Sequence, residues 1–137
     1  MVGERLLSSH LEAPVKYLIL IQSNPQSRQI WESFSEAERS EGLAAYAALN
    51  ETLAASGELI VSEALADPSL TTRLPAAEGW SLTGDGPLAE VKEHLAGFFL
   101  IDCESTERAL EIAAMVPEAD LGLVEVRPIL NYSAMES

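Results

Sequence analysis

Apolar residues fall in short runs along the chain, divided by residues that favour turns and caps. Val15-Lys16-Tyr17-Leu18-Ile19-Leu20-Ile21 is rich in β-branched and aromatic side chains and predicts a strand buried on both faces for much of its length. Ser23-Asn24-Pro25 closes it as a turn, and residues 26–34 read as a linker whose Trp31 and Phe34 pack down as a lid. Ser35 and Glu38 then fit a capping box. The helix they open places Leu43, Tyr46, Ala47, Asn50, Leu53 and Ala54 on one stripe and stops at Gly57. Residues 58–65 predict a second strand, ended by Asp67-Pro68.

Thr71–Leu74 and Trp80–Thr83, joined around Pro75 and Gly79, predict a hairpin. Asp85-Gly86-Pro87 follows as a sharp corner, because glycine tolerates unusual backbone shapes and proline has a fixed φ and no N–H. Pro87 opens a short helix with Leu88, Val91 and Leu95 at helical spacing, and residues 97–103 form a strand. Ser105 caps a helix with Ala109, Ile112, Ala113 and Val116 on one face, stopped by Pro117. Residues 121–130 alternate as the last strand. The domain therefore spans 15–130, between an N-terminal extension (1–14) and a C-terminal tail (131–137).

Two strand–helix–strand halves with an insertion predict an α+β fold, the ferredoxin-like βαββαβ plan with an inserted β-hairpin. Its antiparallel sheet carries both helices on one face and leaves the other bare. Strands apolar on both sides then predict that a second copy of the chain covers the bare face, giving a homodimer.

Composition removes several function classes. The net charge is −14, and the 8 basic residues are scattered singly, so no Lys/Arg patch exists to neutralise phosphates. Nucleic acid and anionic membrane surfaces are thus unexpected partners, and no apolar run approaches the ~18 residues of a membrane span. Cys103 is the only cysteine, which excludes an intrachain disulfide and suits a reducing cytosol. No leader segment is evident, so a cytoplasmic location is expected. His10 and His94 lie far apart, with no metal-ligand spacing around them, and no metal or cofactor is expected.

The ionisable residues around the corner are the candidate site. Asp85 is the candidate catalytic group, with two open readings: an acid/base that hydrogen-bonds a small polar ligand, or an Asx-turn that pins the corner. An ordinary aspartate pKa of ~3.9 makes it a poor base unless it is desolvated or stands beside another carboxylate. Glu63 and Glu90 are candidates for that neighbour. Lys92 and Arg127 would hold an anionic portion of the ligand, or pair with the acids instead. Asn50 interrupts an apolar stripe, so it reaches a cavity or finds partners in the core; with Tyr46 it completes the ligand-binding candidates. Cys103 reads as a packed thiol.

The stretch from Asp85 to Ile101 resembles the signature of the YCII-related proteins in their DGPF-domain branch. Leu88, Val91, His94 and Ala96 stand where that signature has Phe, Thr, Gln and Gly. Lys16-Tyr17-Leu18, the helix from Ala45-Tyr46 to Asn50-Glu51, Glu63 and residues 124–128 are similar as well, so the resemblance covers about 15–130. It implies a ferredoxin-like protomer in a dimeric α+β barrel, with small molecules bound between sheet and helices. It also implies a His–Asp catalytic pair for the proteins at the centre of the family. This chain keeps the aspartate as Asp85 but has no histidine in the corresponding first helix. The expectation is a dimeric protein binding a small polar metabolite near Asp85, as a cofactor-free acid/base enzyme or as a non-catalytic binding, regulatory or structural module.

Overall fold

The computed structural model describes residues 15–80 and 93–131. Among these residues four strands form one antiparallel sheet: β1 (Val15–Ser23), β2 (Leu59–Ala64), β3 (His94–Cys103) and β4 (Val124–Pro128). Their order is β2-β3-β1-β4, which is the ferredoxin-like arrangement. The first strand is central and pairs with β3 from Val15↔Cys103 to Ser23↔His94. On its other side it pairs with β4 from Tyr17↔Pro128 to Ile21↔Val124.

Among the described residues three α-helices accompany the sheet: α1 (Pro25–Ser33), α2 (Glu36–Ser56) and α3 (Thr106–Ala114). The capping signals act as expected. Ser35 and Glu38 close a reciprocal box, Gly57 ends α2 at φ 82°, and the Ser105 hydroxyl accepts from the Arg108 N–H. The predicted lid is instead the helix α1. Asn24 supplies its N-cap, exchanging hydrogen bonds with Ser27, and Pro25 occupies the first turn, where a missing N–H costs nothing.

Period-2 alternation decides what the sheet buries. Tyr17, Ile19 and Ile21 on β1 and Phe99, Ile101 and Cys103 on β3 face the helices, where they meet Leu49 and Leu53 of α2 and Ala109, Ile112 and Ala113 of α3. The predicted α2 stripe is thus shifted: Leu43 is 63 % exposed, and Ala47 and Ala54 are exposed too. The first half of α2 meets α1 instead. Trp31 lies within 3.6 Å of where a Cβ on Gly42 would stand, and the Arg39 guanidinium sits 5.6 Å from the Trp31 ring.

Other boundaries also move. Leu95 belongs to β3, which starts at His94, so the predicted short helix does not reach it; Leu88 and Val91 lie outside the described residues. Thr71–Leu74 form no strand, and residues 81–83 of the predicted hairpin are likewise not described. Leu121 ends a 3-10 turn, Pro117–Leu121, before β4 begins. Gly97 is required by close approach, since a Cβ there would stand 2.9 Å from the Glu63 carbonyl oxygen.

One ion pair fastens the end of the sheet at Cys103. Arg108 of α3 grips Glu58, just before β2, with Nε to Oε2 at 2.8 Å and Nη2 to Oε1 at 2.9 Å. The side chains are only 27 % and 16 % exposed, so this bidentate pair is worth more than an ordinary surface one. The Arg108 hydrogen bonds are the main reason the Glu58 carboxyl sits below its usual range. A depressed folded value means stability that is full above the ordinary ~4.3 and lost as pH falls through the lowered one. Arg108→Met is expected to lose about 2 kcal/mol at pH 7, with the gap from wild type closing in acid; urea midpoints across pH measure both.

Candidate functional site

The chain leaves β2 at Ala64 and stays zipped to β3 for one more residue, through the Leu65 N–H to Ala96 carbonyl bond of 2.7 Å. Asp67 then caps a 3-10 turn, Pro68–Leu70, by accepting the Ser69 N–H at 2.9 Å, while Pro68 fixes the first φ. This turn arches beside the start of β3 and leaves a cavity of about 360 Å³. Its walls are Leu65, Ala66, Pro68, Leu70 and Leu95, and its polar groups are Asp67, Thr71 and His94. Leu70 is 72 % exposed, so the mouth is open to solvent.

The electrostatics centre on Asp67. The Ser69 hydrogen bonds, from side chain and backbone, hold its carboxyl below the ordinary value, with attraction from Arg28 and His94 adding to them. Arg28 itself is not part of the lining; its Nη1 donates to Ser23 Oγ at 3.3 Å. His94 is half-buried at the first position of β3, opposite Ser23. An anion beside an imidazole on an apolar floor can orient a ligand that offers a hydrogen-bond donor or a positive charge.

The sequence candidates fall into three groups. Asp85, Glu90 and Lys92 lie outside the described residues, as does His10. Tyr46 and Asn50 lie between α2 and the sheet, where the Tyr46 ring stacks on Phe99 at 6.3 Å. The Tyr46 hydroxyl donates to the Glu118 carboxylate, and burial first, then that bond, pushes the phenol far up, so it stays a donor. Asn50 Nδ2 donates to the Tyr46 carbonyl at 3.0 Å, and its Oδ1 accepts from Ser62 Oγ at 2.5 Å. The amide is therefore a satisfied boundary group, tying α2 to β2.

Glu63 and Arg127 form the third group. Register puts Glu63 opposite Phe98 and Arg127 opposite Leu18, on the sheet face away from the helices. They stand on the two edge strands with β3 and β1 between them, so the structure does not bring them together as a pair. Arg127 is exposed and needs no buried counter-charge. Cys103 is a packed thiol, pushed up by burial and bonded to the Ser105 carbonyl at 3.4 Å. Among the described residues no set of three metal-binding side chains gathers, and no helix is long and apolar enough to cross a membrane.

Sequence reasoning passed over Asp67 as a strand terminator. Asp-Pro-Ser is itself a capping signal, and it marks a carboxylate fixed in one orientation.

Similarity to known proteins covers the whole described fold. An uncharacterised protein of Rhizobium meliloti (strain 1021) is 30% identical over 122 residues, covering 88% of this chain and 96% of that protein. The family profile for the YCII-related domain matches residues 15–133, taking in every described strand and helix. With the ferredoxin-like order of the sheet in place, the chain belongs to the YCII-related domain family.

Proposed function

We propose that the protein binds a small polar metabolite in the cavity between the end of β2 and the start of β3, as one subunit of a cytoplasmic homodimer. The observation that carries this reading is an open cavity in which Asp67, the one carboxylate among the described lining residues, is fixed by a cap and kept ionised beside His94. The Asp85-Gly86-Pro87 corner, near which the sequence places the metabolite, lies outside the described residues. That corner also supports placement in the DGPF-domain branch of the family. The buried Cys103 thiol suits a reducing compartment.

Binding is favoured over base catalysis because a carboxylate with a lowered pKa is a weak base. A cofactor-free acid/base reaction is the second reading, supported by the electrostatic reach of His94 to Asp67. Asp85→Asn tests it: full turnover of a bound metabolite would remove Asp85 from the chemistry.

The binding reading is tested by plugging the cavity. Ala66 lines it but is exposed, so Ala66→Trp fills space without touching the core. A metabolite library screened by ligand-observed NMR is expected to give hits on the wild type that weaken at least tenfold on Ala66→Trp. Hits indifferent to the plug would place binding elsewhere and sink the proposal.

A further inference from the structure

We propose that this cavity takes a small organic cation, a primary ammonium group on a short aliphatic chain, with Asp67 as its counter-ion. The inference rests on the ligand-binding reading above and narrows it to a chemical class.

Three observations select the charge. Among the described residues lining the cavity, Asp67 is the only Asp, Glu, Lys or Arg, so the fixed charge they supply is negative. The nearby cation Arg28 is outside the lining and donates to Ser23. The chain as a whole carries −14, a field that draws cations toward its clefts and repels anions. The carboxylate is also prearranged. Ser69 fixes Oδ1, and a carboxylate has lone pairs to spare for an incoming ammonium while that cap bond persists.

The rest of the lining selects the tail. Leu65, Pro68, Leu70 and Leu95 offer apolar contact within the same lining. A volume of about 360 Å³ lies at the small end of ligand pockets, which run ~300–1,000 Å³, and has room for a short chain. Thr71 and His94 stand by for a second polar group on the ligand.

The test compares three probes of equal chain length and different charge: n-butylammonium, butan-1-ol and butyrate. Each is titrated into the full ¹⁵N-labelled chain, and the amides of Leu65, Thr71 and Leu95 are followed. Butylammonium is expected to shift them at millimolar concentration, butanol at least tenfold more weakly, and butyrate not at all. Asp67→Asn removes the charge but keeps a side-chain oxygen suited to the cap. It is expected to weaken butylammonium at least tenfold and leave butanol unchanged.

Butyrate binding as well as butylammonium, or an indifferent Asp67→Asn, would overturn the cation assignment. So would library hits that are anionic and blocked by Ala66→Trp, and in that case the binding reading would survive. If neither the probes nor the library move the cavity amides, the binding reading falls and takes this inference with it.

Discussion

Phe99→Ala is expected to lose about 4 kcal/mol of stability, a large share of the ~5–15 kcal/mol typical of a domain. Phe99 is 2 % exposed and sits in β3 opposite Ile19 of the central strand and Ser62 of β2. Its ring also stacks on Tyr46, the residue through which α2 reaches Glu118. Truncation therefore opens a cavity at the junction of sheet and helix. The neighbours cannot close it cheaply, because Ile19 is held by pairing on both sides. Urea unfolding measures the loss, with tyrosine fluorescence reporting whether α2 loosens first. A loss under about 1 kcal/mol would mean that the site collapses around the gap and that Phe99 does not anchor the layer.

Leu20→Glu is expected to halve the mass of the protein in solution. Leu18 and Leu20 of β1, Phe98 and Leu100 of β3 and Val61 of β2 share the sheet face that none of the described helices covers, and all are only half-buried in one chain. Such a stripe is the kind of surface that a second copy covers. Leu20 is at its middle, paired across from Phe98 on one side and Glu125 on the other. Light scattering at micromolar concentration is expected to give about twice 14.8 kDa for wild type and about 14.8 kDa for Leu20→Glu. The variant is expected to keep cooperative unfolding, because the substituted side chain lies on the face away from the described helices. A wild-type mass near 14.8 kDa would remove the homodimer from the proposal.

Local signals carried much of the fold. Ser35 with Glu38, Gly57 and Ser105 each satisfy backbone groups within a few residues, so their meaning survives whatever the chain does elsewhere. Asn24-Pro25 misled for the same reason it now makes sense: a turn and a helix start ask for the same two residues. Leu43 has the right spacing for the α2 core stripe. Whether a given turn of a helix reaches the sheet depends on where the sheet ends, which no local period encodes. Distance across the sheet was hidden in the same way. Glu63 and Arg127 share a face, and only the strand order β2-β3-β1-β4 shows them on opposite edges. The cavity needed the meeting of Asp67 and His94, which the sequence separates by a long insertion.

The central place of β1 governs when the protein can fold during synthesis. Among the described strands it is the first to leave the ribosome, yet its partners are β3 and β4, which follow much later in the sequence. Until β3 emerges, the apolar face of β1 has no neighbour strand, and its pairing is complete only after Pro128 has been made. At ~5–20 residues per second, that leaves seconds of exposure. Pairings of such long sequence separation also slow the search itself. A nascent chain therefore exposes an unpaired apolar strand for longer than a chain with local pairings would, and a chain cut short before β4 is expected to leave one edge of β1 without its partner strand.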